Sequence, residues 1–274
     1  MEELQISVII STFNSEDWLE KVLWGYSIQS YKNFEIVIAD DGSKNATKKL
    51  IDSFREKYPI PINHIWHEDR GYRRQKLLNK SILECKGDSI IMTDGDCIPR
   101  KDFIEAHAKH TEKGRFLSGG YCKLSGKTSE IISKDDIFTE RCFNSKWLKN
   151  IDKKLNFSKT LKLKSSGIVS VLLDTITPTT ASFNNMNSSA WKDDYLAING
   201  YDERMKYGGS DRELGERFEN YGIKGKQIRH QAICLHLHHT RAYANKESWT
   251  LNNNIRRKTR NDKVIRTPFG IEKL

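Results

Sequence analysis

The chain has 274 residues, of which 37% are hydrophobic and 30% charged, enough for one large α/β domain or a domain of about 200 residues with an extension. That balance excludes a disordered polar chain, and no run of about 18 apolar residues is present to span a bilayer. The formal net charge of +10 favours anionic partners: nucleotide phosphates, nucleic acid or an anionic membrane surface.

In chain order, residues 6–10 read as a buried strand and 16–29 as a helix. A second strand over 34–39 and a helix over 44–57 follow, ended by Pro59 and Pro61. Residues 62–66 read as a third strand, 73–84 as a third helix and 89–93 as a fourth strand. This alternation predicts βαβ units in a mostly parallel sheet, where ligands bind beyond the carboxyl ends of the strands. The second half is less regular. Residues 144–164 hold seven lysines and one acid, and 165–182 are rich in Ser and Thr. A helix over 211–221 and a strand over 227–235 precede a tail with six basic residues over 255–266. The expected division is 1–115 for a nucleotide-binding half, 116–240 for an acceptor and catalytic half of the same domain, and 241–274 for a basic tail.

Five cysteines, an odd number without a CxxC pair, argue against a disulfide framework or zinc site and for a reducing compartment. The start, Met1-Glu2-Glu3, lacks the basic and apolar regions of a signal peptide. The expected location is cytoplasmic, with peripheral contact on the inner face of the plasma membrane.

Three strand ends carry short polar residues: Ser11, Thr12 and Asn14; Asp40 and Asp41; Asp94, Gly95 and Asp96. Singly, each is equally a turn or a helix cap. Together they place several carboxylates on one rim. The Asp94-x-Asp96 pair suits Mn²⁺ or Mg²⁺, which take oxygen ligands and substrate phosphates, and Gly95 allows a sharp turn between the acids. Near the C-terminus lie His236 and His238, which alternation on a strand would point to one face, where a neutral imidazole can join a metal shell. Asp211 follows Gly208-Gly209-Ser210, either as an N-cap or as a carboxylate able to take a proton from a hydroxyl.

Taken together these segments resemble the family 2 glycosyltransferases. The resemblance implies the GT-A fold, a Rossmann-like, mostly parallel α/β sheet flanked by helices, with a C-terminal acceptor-side extension. Residues 6–110 resemble the nucleotide-sugar half, and 183–239 are similar to galactosyltransferase-like and chondroitin-polymerase-like members. By this resemblance Ser11 and Asp41 contact uridine, Asp69 and Arg73 lie near the base or phosphates, and Asp94 supports ribose or metal. Asp96 binds the metal with His236 or His238, and Asp211 is the catalytic base. Ser210 replaces the usual Glu of the family's Gly-Gly-Glu-Asp motif, and Tyr207 stands where many relatives have Trp. The implied activity is inverting transfer from UDP-galactose, UDP-N-acetylhexosamine or UDP-glucuronate to a glycan or lipid-linked glycan in surface polysaccharide assembly. Nucleic acid is not an expected partner, since the basic stretches lack interleaved aromatics and any recognition motif. A nucleotidyltransferase is the other enzyme reading; it lacks support in a basic, Gly-rich loop after the first strand.

Overall fold

A computed structural model describes residues 3–152, 155–165, 167–239 and 245–273. The features expected at residues 1–2, 153–154, 166 and 240–244 lie outside the described residues: the chain start, the centre of the Lys-rich stretch, one Ser, and the join to the basic tail.

The first half alternates as its apolar runs dictate: β1 (Ile6–Thr12), α1 (Glu16–Ser27), β2 (Phe34–Asp40), α2 (Asn45–Lys57), β3 (Ile62–Trp66), α3 (Arg74–Glu84) and β4 (Ser89–Asp94). These four strands pair in parallel in the order β3-β2-β1-β4. Both faces of the sheet are covered, which is why β1 and β2 read as continuous apolar runs. Ile6, Val8 and Ile10 of β1 face α1 and α2, through Leu19, Val22, Leu23, Ile51 and Phe54. Ile9 faces the opposite layer, with Leu77, Leu78 and Ile82 of α3.

The second half follows as β5 (Cys97–Pro99), α4 (Phe103–His110), β6 (Arg115–Lys123), α5 (Gly126–Ile131), α6 (Lys134–Phe138), α7 (Ser145–Ile151), α8 (Phe157–Lys164) and α9 (Gly167–Ile176). Then come β7 (Ser188–Trp191), α10 (Lys192–Ala197), α11 (Ser210–Asn220), β8 (Lys224–His236) and α12 (Lys246–Asn261). The Lys-rich and Ser/Thr-rich stretches are therefore largely helical. Much of the basic tail is α12, packed on α11 through Arg256 and Arg260 to Glu216 at 2.6 and 2.9 Å. The described sheet has eight strands, β3-β2-β1-β4-β7-β6-β8-β5, with antiparallel pairs where β7 and β5 join.

Two polar devices hold the second half in register. Asn187 donates its amide to the carbonyls of Gly120 and Ala232, at 2.8 and 3.0 Å. Its Oδ1 accepts from His107 Nε2 at 2.8 Å, and Ser189 Oγ bonds to His107 Nδ1 at 2.8 Å. Gly119 is needed there because a Cβ would overlap the Asn187 amide. Burial holds the imidazole neutral, its pKa lowered to about 4. The second device is Arg217, wholly buried, paired with Glu213 at 2.9 Å and donating to the Ile198 and Gly200 carbonyls at 2.7 and 2.6 Å. It ties α11 to the turn before the cleft described next, and Glu213 also accepts from Thr259 of α12 at 2.9 Å.

Candidate active site

The carboxyl ends of β1, β2 and β4 open into a cleft of about 710 Å³. The parallel register sets Ser11 beside Asp94, and Ser11 Oγ donates to Asp94 Oδ1 at 2.8 Å. Arg74, in the first turn of α3, pairs with Asp94 and donates to Ser11 Oγ at 2.7 Å. Burial pushes the Asp94 carboxyl up, against the pull of the Arg74 charge. Gly95 lets the backbone pass close to β1: a Cβ there would stand 3.0 Å from the Ser11 carbonyl oxygen.

Asp41 lies beyond β2, its backbone N–H donating to the Thr12 carbonyl at 3.0 Å. Its carboxylate is held by His67 Nε2 at 2.7 Å and the Arg73 N–H at 3.3 Å. Desolvation raises its pKa, with His67 opposing. Asp69 lines the same wall and accepts from the Gly71 N–H at 2.9 Å.

At the opposite edge, Asp96 meets the end of β8, where the Leu237 N–H donates to the Asp96 carbonyl at 2.8 Å. His236 Nε2 is 4.0 Å and His239 Nε2 3.2 Å from Asp96 Oδ2, and the three side chains' ligand atoms lie within 4.8 Å of one another. His236 Nδ1 is 2.8 Å from the Leu237 carbonyl oxygen, so the proton sits on Nδ1 and the Nε2 lone pair faces Asp96. This is a carboxylate and two imidazoles, a donor set that suits Mn²⁺. The charge balance agrees. The cleft is lined by Asp41, Asp69, Asp94, Asp96 and Asp211, against Arg74 as the guanidinium among the lining residues. A diphosphate entering there needs a cation to offset the repulsion. Thr12 Oγ1 is buried on the same wall without a hydrogen-bond partner among the described residues.

Asp211 completes the rim. It sits in the first turn of α11, whose N-cap is Gly209 in the left-handed region at φ 81°. The cap reading of Asp211 is thereby corrected: its carboxylate accepts from the Arg212 N–H at 2.8 Å and lines the cleft. Desolvation raises its pKa, and the Asp94 charge adds to the rise while Arg212 and Arg74 oppose it. Gly208 is at φ 99°, and a Cβ there would come within 2.9 Å of the Trp249 ring of α12, which walls this side. Tyr72 and Tyr207 meet edge to face across the cleft, ring centroids 6.1 Å apart.

Of the residues expected at the site, Ser11, Thr12, Asp41, Asp69, Asp94, Gly95, Asp96, His236 and Asp211 line this cleft, and Asn14, Asp40, Arg73 and His238 do not. Asn14 takes φ 43° and shapes a turn, accepting from the Lys44 N–H at 2.9 Å. Asp40 is buried beneath the rim, accepting from the Ser43 N–H at 2.8 Å and facing His64 at 2.9 Å. Arg73 precedes α3 and donates to the Glu68 carbonyl, so the cleft receives its neighbour Arg74. His238 is replaced by His239. The strand ends at His236, alternation stops, and His238 turns outward over Gly126, its N–H donating to Ser129 Oγ at 2.9 Å. Arg74, His239 and Trp249 are among the cleft residues that the sequence did not point to.

The sheet order, the acid-lined cleft at the parallel strand ends and the second-half extension define the GT-A fold. The chain belongs to glycosyl transferase family 2, whose family model matches residues 7–164. A second model, the N-terminal domain of galactosyltransferase, matches residues 179–240. Among curated relatives, the uncharacterized glycosyltransferase YfnE of Bacillus subtilis is 24% identical over 260 residues, 86% of this chain and 65% of the relative. Validoxylamine A glucosyltransferase of Streptomyces hygroscopicus subsp. limoneus is 23% identical, over 80% of this chain and 48% of the relative. The chain thus spans less than two thirds of these relatives' length. Two solved structures share the fold. The mannosyltransferase PcManGT from Pyrobaculum calidifontis, in complex with GDP-Man and Mn²⁺, has a TM-score of 0.59 at 15% identity, covering 92% of this chain and 61% of that one. S. aureus TarS 1-349 in complex with UDP-GlcNAc has a TM-score of 0.62 at 13% identity, covering 98% and 69%. Among the described residues no helix is long and apolar enough to cross a membrane.

Proposed function

We propose that this chain is an inverting, divalent-metal-dependent glycosyltransferase. It moves a sugar from a UDP donor (UDP-Gal, UDP-GalNAc, UDP-GlcNAc or UDP-GlcA) to a hydroxyl of a glycan or lipid-linked glycan, in surface polysaccharide assembly. The observation that carries the reading is the gathering of Asp41, Asp96, His236 and Asp211, far apart in sequence, around one cleft. Residues 1–115 bind the nucleotide sugar, and 116–240 supply the acceptor side and the base. Five free, buried cysteines support a cytoplasmic setting.

In this mechanism Asp41 meets the uracil and Ser11 the nucleoside, with Asp69 beside them. Asp94, fixed by Arg74 and Ser11, would support the ribose or the metal. Asp96, His236 and His239 would hold Mn²⁺ or Mg²⁺, which when bound would neutralise charge on a diphosphate leaving group. Asp211 takes the acceptor hydroxyl proton. The acceptor oxygen bonds to the anomeric carbon as the bond from that carbon to the phosphate oxygen breaks, and the electron pair leaves with UDP. Burial raises the Asp211 pKa, which strengthens its carboxylate as a base. The supporting assay measures UDP release across the donors with Mn²⁺, in the wild type and Asp211→Asn. Donor-dependent release from the wild type supports the reading. Absence of release with every donor and a panel of glycan acceptors, or pyrophosphate as product, removes it.

A further inference from the structure

Helix α9 is built inside out. Its inward side is polar: Ser170 and Asp174 are buried. Asp174 accepts from the His230 N–H at 2.9 Å and from Gln231 Nε2 at 3.0 Å, which fastens the helix to β8. Its outward side carries Ile168, Val169, Val171, Leu172 and Ile176, each between 40% and 87% exposed. Thr175, the hydroxyl on that side, donates back to the Val171 carbonyl at 2.9 Å and so makes little demand on water. A surface helix of a water-soluble domain turns such a stripe toward the core. An apolar stripe left outside marks a contact surface.

The charge of the chain that leads into α9 selects the contact. Residues 144–182 hold seven lysines and two acids, Asp152 and Asp174. Both acids are buried, Asp152 accepting from the Ser125 N–H at 2.8 Å, so this stretch presents no carboxylate to solvent. Lys146 and Lys149 of α7 and Lys164 of α8 are exposed, and Phe157 at the start of α8 is 81% exposed. The other basic stretch is different, because Arg256 and Arg260 are paired with Glu216 where α12 meets α11.

We propose that the α7–α9 surface docks on an anionic lipid bilayer, the apolar row of α9 entering the headgroup region and the lysines facing anionic headgroups. Charge complementarity favours this occupant over a second copy, which would bring the same unbalanced lysines face to face. The inference does not depend on the identity of the sugar donor. The test is flotation of the full chain with vesicles of phosphatidylcholine alone and of an equimolar mixture with phosphatidylglycerol. The wild type floats with the mixed vesicles at low salt, and binding weakens as salt rises. Leu172→Ser with Ile176→Ser lowers partitioning by roughly tenfold or more. Lys146→Glu with Lys149→Glu lowers it at low salt only. Both pairs lie on the exposed surface, so melting temperature and UDP affinity stay at wild-type values and a vesicle defect is not a folding defect. No flotation of the wild type at low salt overturns the proposal, as does unchanged binding by the α9 variant. A wild-type dimer in light scattering that the α9 variant dissociates also overturns it, and gives the face to a second copy.

Discussion

Lowering the pH should weaken this protein through one imidazole. His107 is completely buried, and its two ring nitrogens are satisfied in the neutral form by Asn187 and Ser189. Its pKa is lowered from 6.5 to about 4. The unfolded chain therefore binds a proton below about pH 6.5 that the folded chain refuses until about pH 4, and stability falls as pH falls through that window. The full difference is about 3 kcal/mol, and going from about pH 7.5 to about pH 5 forfeits about 2 kcal/mol of it. Other groups titrate over the same range, so the measurement is a comparison. Urea denaturation at both pH values, in the wild type and His107→Gln, isolates the contribution. The variant starts less stable and loses about 2 kcal/mol less on acidification. An equal loss in both proteins would refute the reasoning and show that His107 accepts its proton in the folded state.

Asp211→Asn should leave UDP affinity near the wild-type value and lower turnover by roughly 10²-fold or more. The acidic limb of the wild-type pH profile should lie above the ordinary carboxylate range, because a raised pKa keeps the base protonated to higher pH. A limb in the ordinary carboxylate range would count against Asp211. His239→Ala and Asp96→Ala should each abolish the increase in UDP affinity given by Mn²⁺ in calorimetry, and His238→Ala should retain it; equal loss in all three would remove the assigned triad. Arg217→Met should destabilise by about 3–5 kcal/mol, since it strands the buried Glu213 carboxylate, and a melting temperature near wild type would contradict that.

The first half was legible because its strands are buried on both faces and so appear as unbroken apolar runs between helical periods. The second half shows β8 but hides β6 and β7. β7 holds Ser188 and Ser189, buried through side-chain hydrogen bonds rather than through hydrophobicity, and β6 carries Gly119 and Gly120 at an irregularity in its pairing. α9 misleads in the opposite sense, with apolar residues on its outer side. At the cleft, carboxylates placed by strand ends were readable, because a strand fixes where its last residue points. Arg74 and His239 were each missed by one position. Each depends on where a helix begins or a strand stops, and a one-residue shift there rotates a side chain out of the site or into it.

The Trp249 ring makes the cleft a joint product of distant parts of the chain. Its helix follows the last strand of the sheet, yet the indole forms the wall above Gly208. A chain cut after β8 would keep every carboxylate proposed for the donor and the proton transfer, and would present them in an open trough. A truncation there also removes the α12 contacts to Glu213 and Glu216 of α11, the helix whose first turn carries Asp211.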